Sequence, residues 1–297
     1  MEQERYEALV RAIELGSLSA AAEKMGITPS GMSRMMAALE DETGFPLLYR
    51  RHEGVIPTPE CAALLPAIRE WLFHGEKCRQ LAAQIRGLET GTVTIGTAYS
   101  EWYGMLSGVI AEFRRKFPGI VVQLDAGYSS ELVRKLEDRR MDICLISRRE
   151  GSFEWIPLGE DEMVAWVPAE HELAKGVEVP VAAFTHEPYI DLFPGEDSDN
   201  ARVFEKCRVR PNVQFSTTDS HSAYAMVDAG LGISMNNTLN SGGRHGRVRI
   251  LPLSPRQSVE TGIAVCRQPS PAVQRFVDCL REAIAQSWRD RQTSCQF

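Results

Sequence analysis

The chain has no excess of positive charge. Its 33 Lys and Arg face 40 Asp and Glu, a formal net charge of −7, which argues against a protein that holds nucleic acid by bulk charge. It has no apolar run near the ~18 uncharged residues of a membrane span, and its acidic start lacks the apolar core of a secretory leader. No membrane partner and a cytoplasmic location are therefore expected. The seven cysteines, at 61, 78, 144, 207, 266, 279 and 295, are odd in number and lack Cys-x-x-Cys or metal-like spacing, so a disulfide scaffold and a zinc site are not indicated. The six histidines are scattered, and no metal or cofactor is expected. There is no Gly-x-Ser-x-Gly elbow. Asp219, Ser220 and His221 are neighbours on one helix and point apart, so they form no relay, and no enzyme is expected. What is present is ordinary globular material: 297 residues, 43% hydrophobic and 25% charged, enough for about two domains.

Tyr6, Leu9, Val10 and Ile13 recur at helical spacing over 3–15, stopped by Gly16. Ser19 is placed to cap a short helix over 20–24, closed by Gly26. Thr28 is a good N-cap and Pro29 suits the first helical position, so a third helix runs over 30–42. Its apolar stripe is Met32, Met36 and Leu39, which leaves Ser30, Ser33, Arg34 and Ala37 on the opposite face. Two short helices joined by a tight turn are the helix-turn-helix layout. A small polar face with one Arg can enter a major groove. On spacing alone, a plain three-helix bundle with an ordinary polar face is an equal reading. Two short strands around Glu53 and Gly54 make a hairpin wing, with Arg50 and Arg51 at its base, placed for phosphates. This segment, 1–58, holds six basic and nine acidic residues, net −3.

Thr58 and Pro59 open a long helix reaching about Leu88. Cys61, Leu65, Ile68 and Leu72, then Cys78, Ala82, Ile85 and Leu88, form its apolar stripe. A helix this long needs a partner over the stripe, as in a coiled coil, so dimerisation is expected, with Pro66 bending it. Beyond it, strands at 92–96, 120–124 and 142–146 alternate with helices at 105–117 and 130–139. The alternation continues through strands at 163–167, 188–192, 213–216 and 231–235, a helix at 219–229 and a last helix at 271–287. Such alternation predicts βαβ units and a mainly parallel sheet. Dense Gly, Pro and Ser at 151–157, 193–200 and 240–246 predict loops.

The N-terminal pattern Ala21, Ala22, Met25, Ile27, Thr28, Pro29, Ser30, Gly31, Met32, Ser33, Arg34, Met36, Leu39, Glu40, Gly44, Leu47, Leu48 and Arg50 resembles LysR-type transcriptional regulators. So do Gly91, Val93, Ile95 and Gly96, Phe113 with Pro118, Met141 to Ile143, and Ala229 to Ile233. The family commonly has Ser-Gln-Pro where this chain has Thr28, Pro29 and Ser30, Gly where it has Cys61, and a more basic wing. The resemblance implies an α/β multidomain chain: an N-terminal winged helix-turn-helix (1–58), a long linker and dimerisation helix (59–90), and a two-lobed α/β periplasmic-binding-protein-like effector domain (91–297). Lobe I is expected over about 91–160 plus 267–297, and lobe II over about 161–266. A ligand-responsive DNA-binding regulator without cofactor is implied. Its partners would be dyad-symmetric double-stranded operator DNA, a small-molecule effector, its own copies as homodimer or homotetramer, and RNA polymerase.

Candidate DNA-binding residues are Thr28, Pro29, Ser30, Ser33, Arg34, Arg50 and Arg51. A ligand in such a domain sits at strand ends and helix N-termini. That selects Tyr99, Ser100 and Glu101, then Tyr128 and Ser129, Arg148, Phe193, and Thr217, Thr218 and Asp219; individual hydroxyls such as Ser100 and Thr218 serve equally well as N-caps. Tyr99, Trp102, Tyr103 and Tyr128 make an aromatic wall, and Glu101 and Asp219 disfavour a small anion unless Arg148 offsets them. The expected effector is uncharged and amphipathic, or an amine-bearing aromatic. A rival within regulation is redox sensing at Cys207, flanked by Lys206 and Arg208.

Overall fold

The computed structural model describes residues 2–51, 54–242 and 246–294, with side chains over 3–51, 54–242 and 246–284. The chain divides into two compact units, Met1–Gly87 and Leu88–Phe297.

The first unit comprises helices α1 (Glu2–Leu15), α2 (Leu18–Lys24) and α3 (Pro29–Thr43), the hairpin strands β1 (Leu48–Arg51) and β2 (Gly54–Pro57), and helix α4 (Pro59–Ile85). Met32, Met36 and Leu39 of α3 are buried against Leu9, Ala12, Ala21 and Ala22. The small alanines let the three helices approach closely. α2 begins earlier than its sequence suggests. The chain turns directly after α1, so Ser17 rather than Ser19 is the N-cap and its hydroxyl accepts the Ala20 N–H at 3.2 Å. Thr28 caps α3 by accepting the Gly31 N–H at 3.1 Å. The wing is pinned where the Val55 N–H donates to the Gly16 carbonyl at 2.9 Å. Gly54 has φ 132°, and any side chain there would collide with that same carbonyl. Buried Thr58 does two jobs: its hydroxyl donates to the Pro46 carbonyl at 2.8 Å and accepts the Cys61 N–H at 3.1 Å.

The long apolar stripe of α4 divides. Cys61, Leu65 and Ile68 are buried in the core of this unit, with Leu72 packed beside them. Cys78 and Ala82 are exposed, as are Leu81 and Ile85, with Ile85 88% exposed. Half of the stripe is therefore covered within the chain, where a partner had been expected along all of it.

The second unit runs β3 (Gly91–Thr97), α5 (Trp102–Lys116), β4 (Ile120–Ala126), α6 (Ser129–Glu137), β5 (Ile143–Ser147), β6 (Phe153–Pro168), β7 (Val179–Pro180) and β8 (Tyr189–Leu192). It continues with α7 (Asp199–Cys207), β9 (Val213–Thr217), α8 (Ser220–Asp228), β10 (Ser234–Asn237), β11 (Val248–Ser254), β12 (Ser258–Cys266) and α9 (Pro271–Ser294). The main sheet has the order β4-β3-β5-β12-β6-β11-β7, with β10 also on β6. β3, β4 and β5 are parallel as expected. The remainder differs, because β12, β10 and β11 all run antiparallel to β6, while β8 and β9 form a separate parallel pair.

One correction follows from β6. It begins at Phe153, inside a stretch whose Gly, Pro and Ser content predicts a loop. Pro157 is tolerated because it faces the shift in register between Thr261 and Gly262, where the ladder is already interrupted. Gly262 has no room for a side chain, since one would strike the Trp155 ring and the Ile156 carbonyl. β12 runs between the lobes: Thr261–Val265 pairs with β5 in the first lobe's sheet, while Val259 packs on the second lobe's core. The loop expected at 193–200 holds over 193–198, and an unanticipated helix, α7, follows it, capped by Ser198, whose hydroxyl accepts the Ala201 N–H at 3.2 Å. The first lobe's core joins Phe113 of α5 to Phe276 of α9, ring centroids 5.0 Å apart. The second lobe packs around Phe184, Tyr189 and Phe204, and around Trp166 and Tyr224.

Candidate functional site

The outward face of α3 carries exposed Ser30 and Arg34, with exposed Thr28 and Pro29 at its start and Ser33 half-buried. Arg50 and Arg51 are exposed on β1. None of these three arginines has an ion pair among the described residues. Three acids of this unit are engaged elsewhere. Glu40 accepts the N–H groups of Leu47 and Leu48 at 2.8 and 3.3 Å, Glu42 pairs with Arg5 at 3.6 Å, and Glu7 pairs with Arg79 at 3.4 Å. The Thr28 hydroxyl is itself committed to the helix cap and to Ser30 at 3.1 Å. The helix face therefore offers a local positive charge although the segment is net negative.

In the second unit the two lobes enclose a cleft of about 650 Å³. Ser100, Glu101, Tyr128, Phe193, Thr218 and Asp219 line it, as does Tyr103 of the expected aromatic wall, and Glu131, His221 and Asn240 line it without having been anticipated from the sequence. A smaller recess of about 40 Å³ beside it is lined by Tyr99, Ser129, Asp199 and Asn236. Tyr99 is only 1% exposed, so it belongs to the wall's interior rather than to its surface. Trp102 packs on the first lobe's core and does not line the cleft. Thr217 also lies off the lining; its hydroxyl accepts the Asp219 N–H at 3.1 Å.

Arg148 is the clearest correction. It is turned away from the cleft, its guanidinium 4.9 Å from the centre of the Trp155 ring. The neighbouring Arg149 takes the interior place. Arg149 is buried and donates to Asp199 Oδ1 at 2.8 Å, to Ser130 Oγ at 2.7 Å and to Ser147 Oγ at 2.8 Å. Asp199 also accepts from Ser147 Oγ at 2.6 Å, Tyr99 OH at 3.3 Å and Asn237 Nδ2 at 3.4 Å. Asp199 and Asn237 come from the second lobe and the other donors from the first, so this buried network ties the lobes together. Strand alternation explains why sequence reasoning chose the wrong arginine: β5 ends at Ser147, and the chain beyond it follows no fixed inward period.

Further polar contacts surround the cleft. Asn240 Oδ1 accepts the Ser100 N–H at 2.9 Å, and its Nδ2 donates to the Ala98 carbonyl at 3.2 Å. Ser130 Oγ donates to Asp197 at 2.7 Å, and Arg202 grips both oxygens of Asp197 at 2.6 and 2.7 Å. That pairing holds the Asp197 carboxyl at about 2. Asp161, buried and near Asp199, is pushed up to about 6 by desolvation first and by the neighbouring charge after it. Phe193 has φ 63°, a backbone state that costs a bulky residue about 1–3 kcal/mol. Its ring sits 5.0 Å from that of Tyr128. Strain of this kind is commonest where function demands a fixed side chain.

Other candidates lose their footing. Cys207 is half-buried against the second lobe's core, which is not the exposed setting of a reactive thiol. Asp219 caps α8, accepting the N–H groups of His221 and Ser222 at 3.2 and 2.9 Å. Among the described residues no cluster could hold a metal ion, and no helix is long and apolar enough to cross a membrane.

A winged helix-turn-helix joined to a two-lobed domain with a cleft defines a regulator that couples DNA binding to a small molecule. Residues 86–285 match the LysR substrate binding domain, and residues 4–62 match the bacterial regulatory helix-turn-helix protein, lysR family. The chain belongs to the LysR family of DNA-binding transcriptional regulators. It is 26% identical over 278 residues to the uncharacterized HTH-type transcriptional regulator YvbU of Bacillus subtilis (strain 168), covering 92% of this chain and 95% of that one. Its fold is similar to a full-length OxyR variant from Pseudomonas aeruginosa (TM-score 0.71, 20% identity, 96% of this chain and 94% of that one). It is also similar to full-length CbnR complexed with its target DNA (TM-score 0.61, 20% identity, 95% and 100%).

Proposed function

We propose that α3 enters the major groove of a dyad-symmetric operator with Arg34, Ser30 and Ser33 toward the bases, and that Arg50 and Arg51 of the wing engage phosphates. The observation that carries this reading is local. Arg34, Arg50 and Arg51 are each exposed and without an ion pair among the described residues, while Glu40, Glu42 and Glu7 are engaged elsewhere. Thr28 and Pro29 shape the helix start, and Thr28 Oγ serves the cap. The uncovered half of α4, with Leu81 and Ile85 exposed, pairs two chains into a dimer, and two dimers assemble into a tetramer on longer operators. RNA polymerase is the downstream partner, and the protein works in the cytoplasm without catalysing a reaction.

The effector binds in the interlobe cleft against Ser100, Tyr128, Phe193 and Thr218, with Tyr99 and Ser129 in the recess behind. It acts by preferring one arrangement of the lobes, since a ligand shifts an equilibrium only by its differential affinity for the two states.

The test is Arg34→Ala in the full chain, read by gel shift on a selected operator and by sedimentation. Operator affinity should fall roughly tenfold, the scale of one lost base contact, with the dimer intact. Unchanged affinity would remove α3 from the groove.

A further inference from the structure

Neither arginine that follows β5 offsets the cleft's carboxylates. Arg148 lies on Trp155, and Arg149 is committed to Asp199. Among the described residues lining the cleft there is no lysine or arginine, whereas Glu101, Glu131 and Asp219 all line it.

Helix N-termini are the usual anion sites of such clefts, because their free N–H groups and dipoles favour negative charge. Here each helix that starts at the cleft or its recess carries its own carboxylate. Glu101 is the N-cap of α5, Glu131 lies in the first turn of α6, Asp199 opens α7, and Asp219 is the N-cap of α8. Asp219 accepts two N–H groups and the Ser222 hydroxyl, which hold its carboxyl below the ordinary range. It is therefore an anion at neutral pH. Glu131 is paired with Lys135 at 2.9 Å and Asp199 with Arg149 at 2.8 Å. Glu101 is exposed, lines the cleft and has no ion pair among the described residues. An incoming anion would meet the carboxylates of Glu101 and Asp219 at the helix ends that would otherwise attract it. A cation would meet the opposite field, and the faces of Phe193 and Tyr103 would accept its apolar body.

We propose that the effector is an organic amine, its cationic nitrogen met by the carboxylates of Glu101 and Asp219 and its apolar or aromatic body laid against Phe193 and Tyr103. This rests on the cleft being the effector site, and the test separates the two ideas.

Full-length protein is titrated by calorimetry, with thermal shift in parallel, against triplets that share a carbon frame and differ in charge. One triplet is tyramine, 4-hydroxyphenylacetate and tyrosol; a second is the aliphatic set butylamine, butyrate and butanol. Binding is expected in the amine arms alone. It should weaken roughly tenfold or more in Glu101→Gln with Asp219→Asn, the scale of charge interactions in a partly solvated site. Both amides keep side-chain volume, and Asn retains the cap acceptor. Should the double variant unfold, Glu101→Gln alone carries the test, because the Glu101 side chain makes no hydrogen bond or ion pair among the described residues. A carboxylate that binds at least as well as its amine, and is lost in Phe193→Ala, overturns the amine proposal and leaves the cleft reading standing. Amine binding undiminished in the charge variants overturns it as well. Silence in every arm counts against both.

Discussion

Arg149 is the place where the lobes' cohesion is open to measurement. Its side chain is 4% exposed and that of Asp199 10% exposed, so neither charge has water to fall back on. Arg149→Met keeps the stem's bulk and removes the guanidinium. Asp199 is then left with the Ser147 and Tyr99 hydroxyls and the Asn237 amide, with Asp161 among the charges near it. Breaking a buried pair from one side costs about 3–5 kcal/mol. For a unit of ~200 residues each kcal/mol moves the midpoint by ~2–4 °C, so the expected fall is roughly 10 °C or somewhat more. Scanning calorimetry of the full chain reads it in the transition of the second unit. Adding Asp199→Asn should recover over half of the loss, since the amide still accepts from its neighbours and no charge is stranded. A fall under ~2 °C, or losses that add in the double variant, would refute the view that these two side chains form one buried unit.

Two further predictions concern single carboxylates. Asp161, at about 6 when folded, keeps its proton where the unfolded chain, with an ordinary value of ~4, has released it. Stability from this group is therefore greatest below pH ~4 and declines as pH rises to about 6. Asp142 is also raised to about 6, so the informative quantity is the difference between the parent and Asp161→Asn. Urea midpoints should fall less steeply over that window in the variant, and parallel curves would be evidence against the assignment. Asp197, held at about 2, acts below that window and with the opposite sign. In the first unit, Glu40→Ala orphans the Leu47 and Leu48 N–H groups and should cost about 1–3 kcal/mol. Glu40→Gln, which keeps an acceptor, should cost distinctly less; equal losses in the two would mean that charge rather than the hydrogen bonds matters.

Reading the sequence succeeded where the period of the pattern matched local structure. Met32, Met36 and Leu39 locate α3 because each lies one helical turn from the next, and Thr28 with Pro29 marks its start. Three parallel strands with intervening helices emerge in the same way from 91–147. The failures are non-local. Nothing in residues 153–158 signals a strand until β12, a hundred residues later, lies beside them. The mixture of antiparallel and parallel pairs in the second lobe is likewise a property of which strands meet rather than of any one strand. Within the cleft, Ser100, Tyr128 and Phe193 follow from strand ends, whereas Asn240 and His221 line it from loops and helix starts whose destination depends on the fold. Arg148 and Arg149 are one residue apart, and only the path of the chain after β5 decides which is buried.

The return of β12 to the first lobe also sets an order in time. β5 and the first half of β6 have their partner strand at 258–266, so during synthesis both present an unpaired edge until that segment has emerged. At ~5–20 residues per second the interval is roughly 5–20 s. The second lobe's strands β6, β10 and β11 all precede Ser258, so their mutual pairing can form before the first lobe's sheet closes. The half of the domain that is made first is thus the half that closes last, and the nascent chain spends those seconds with an edge of the kind that invites pairing with a neighbour.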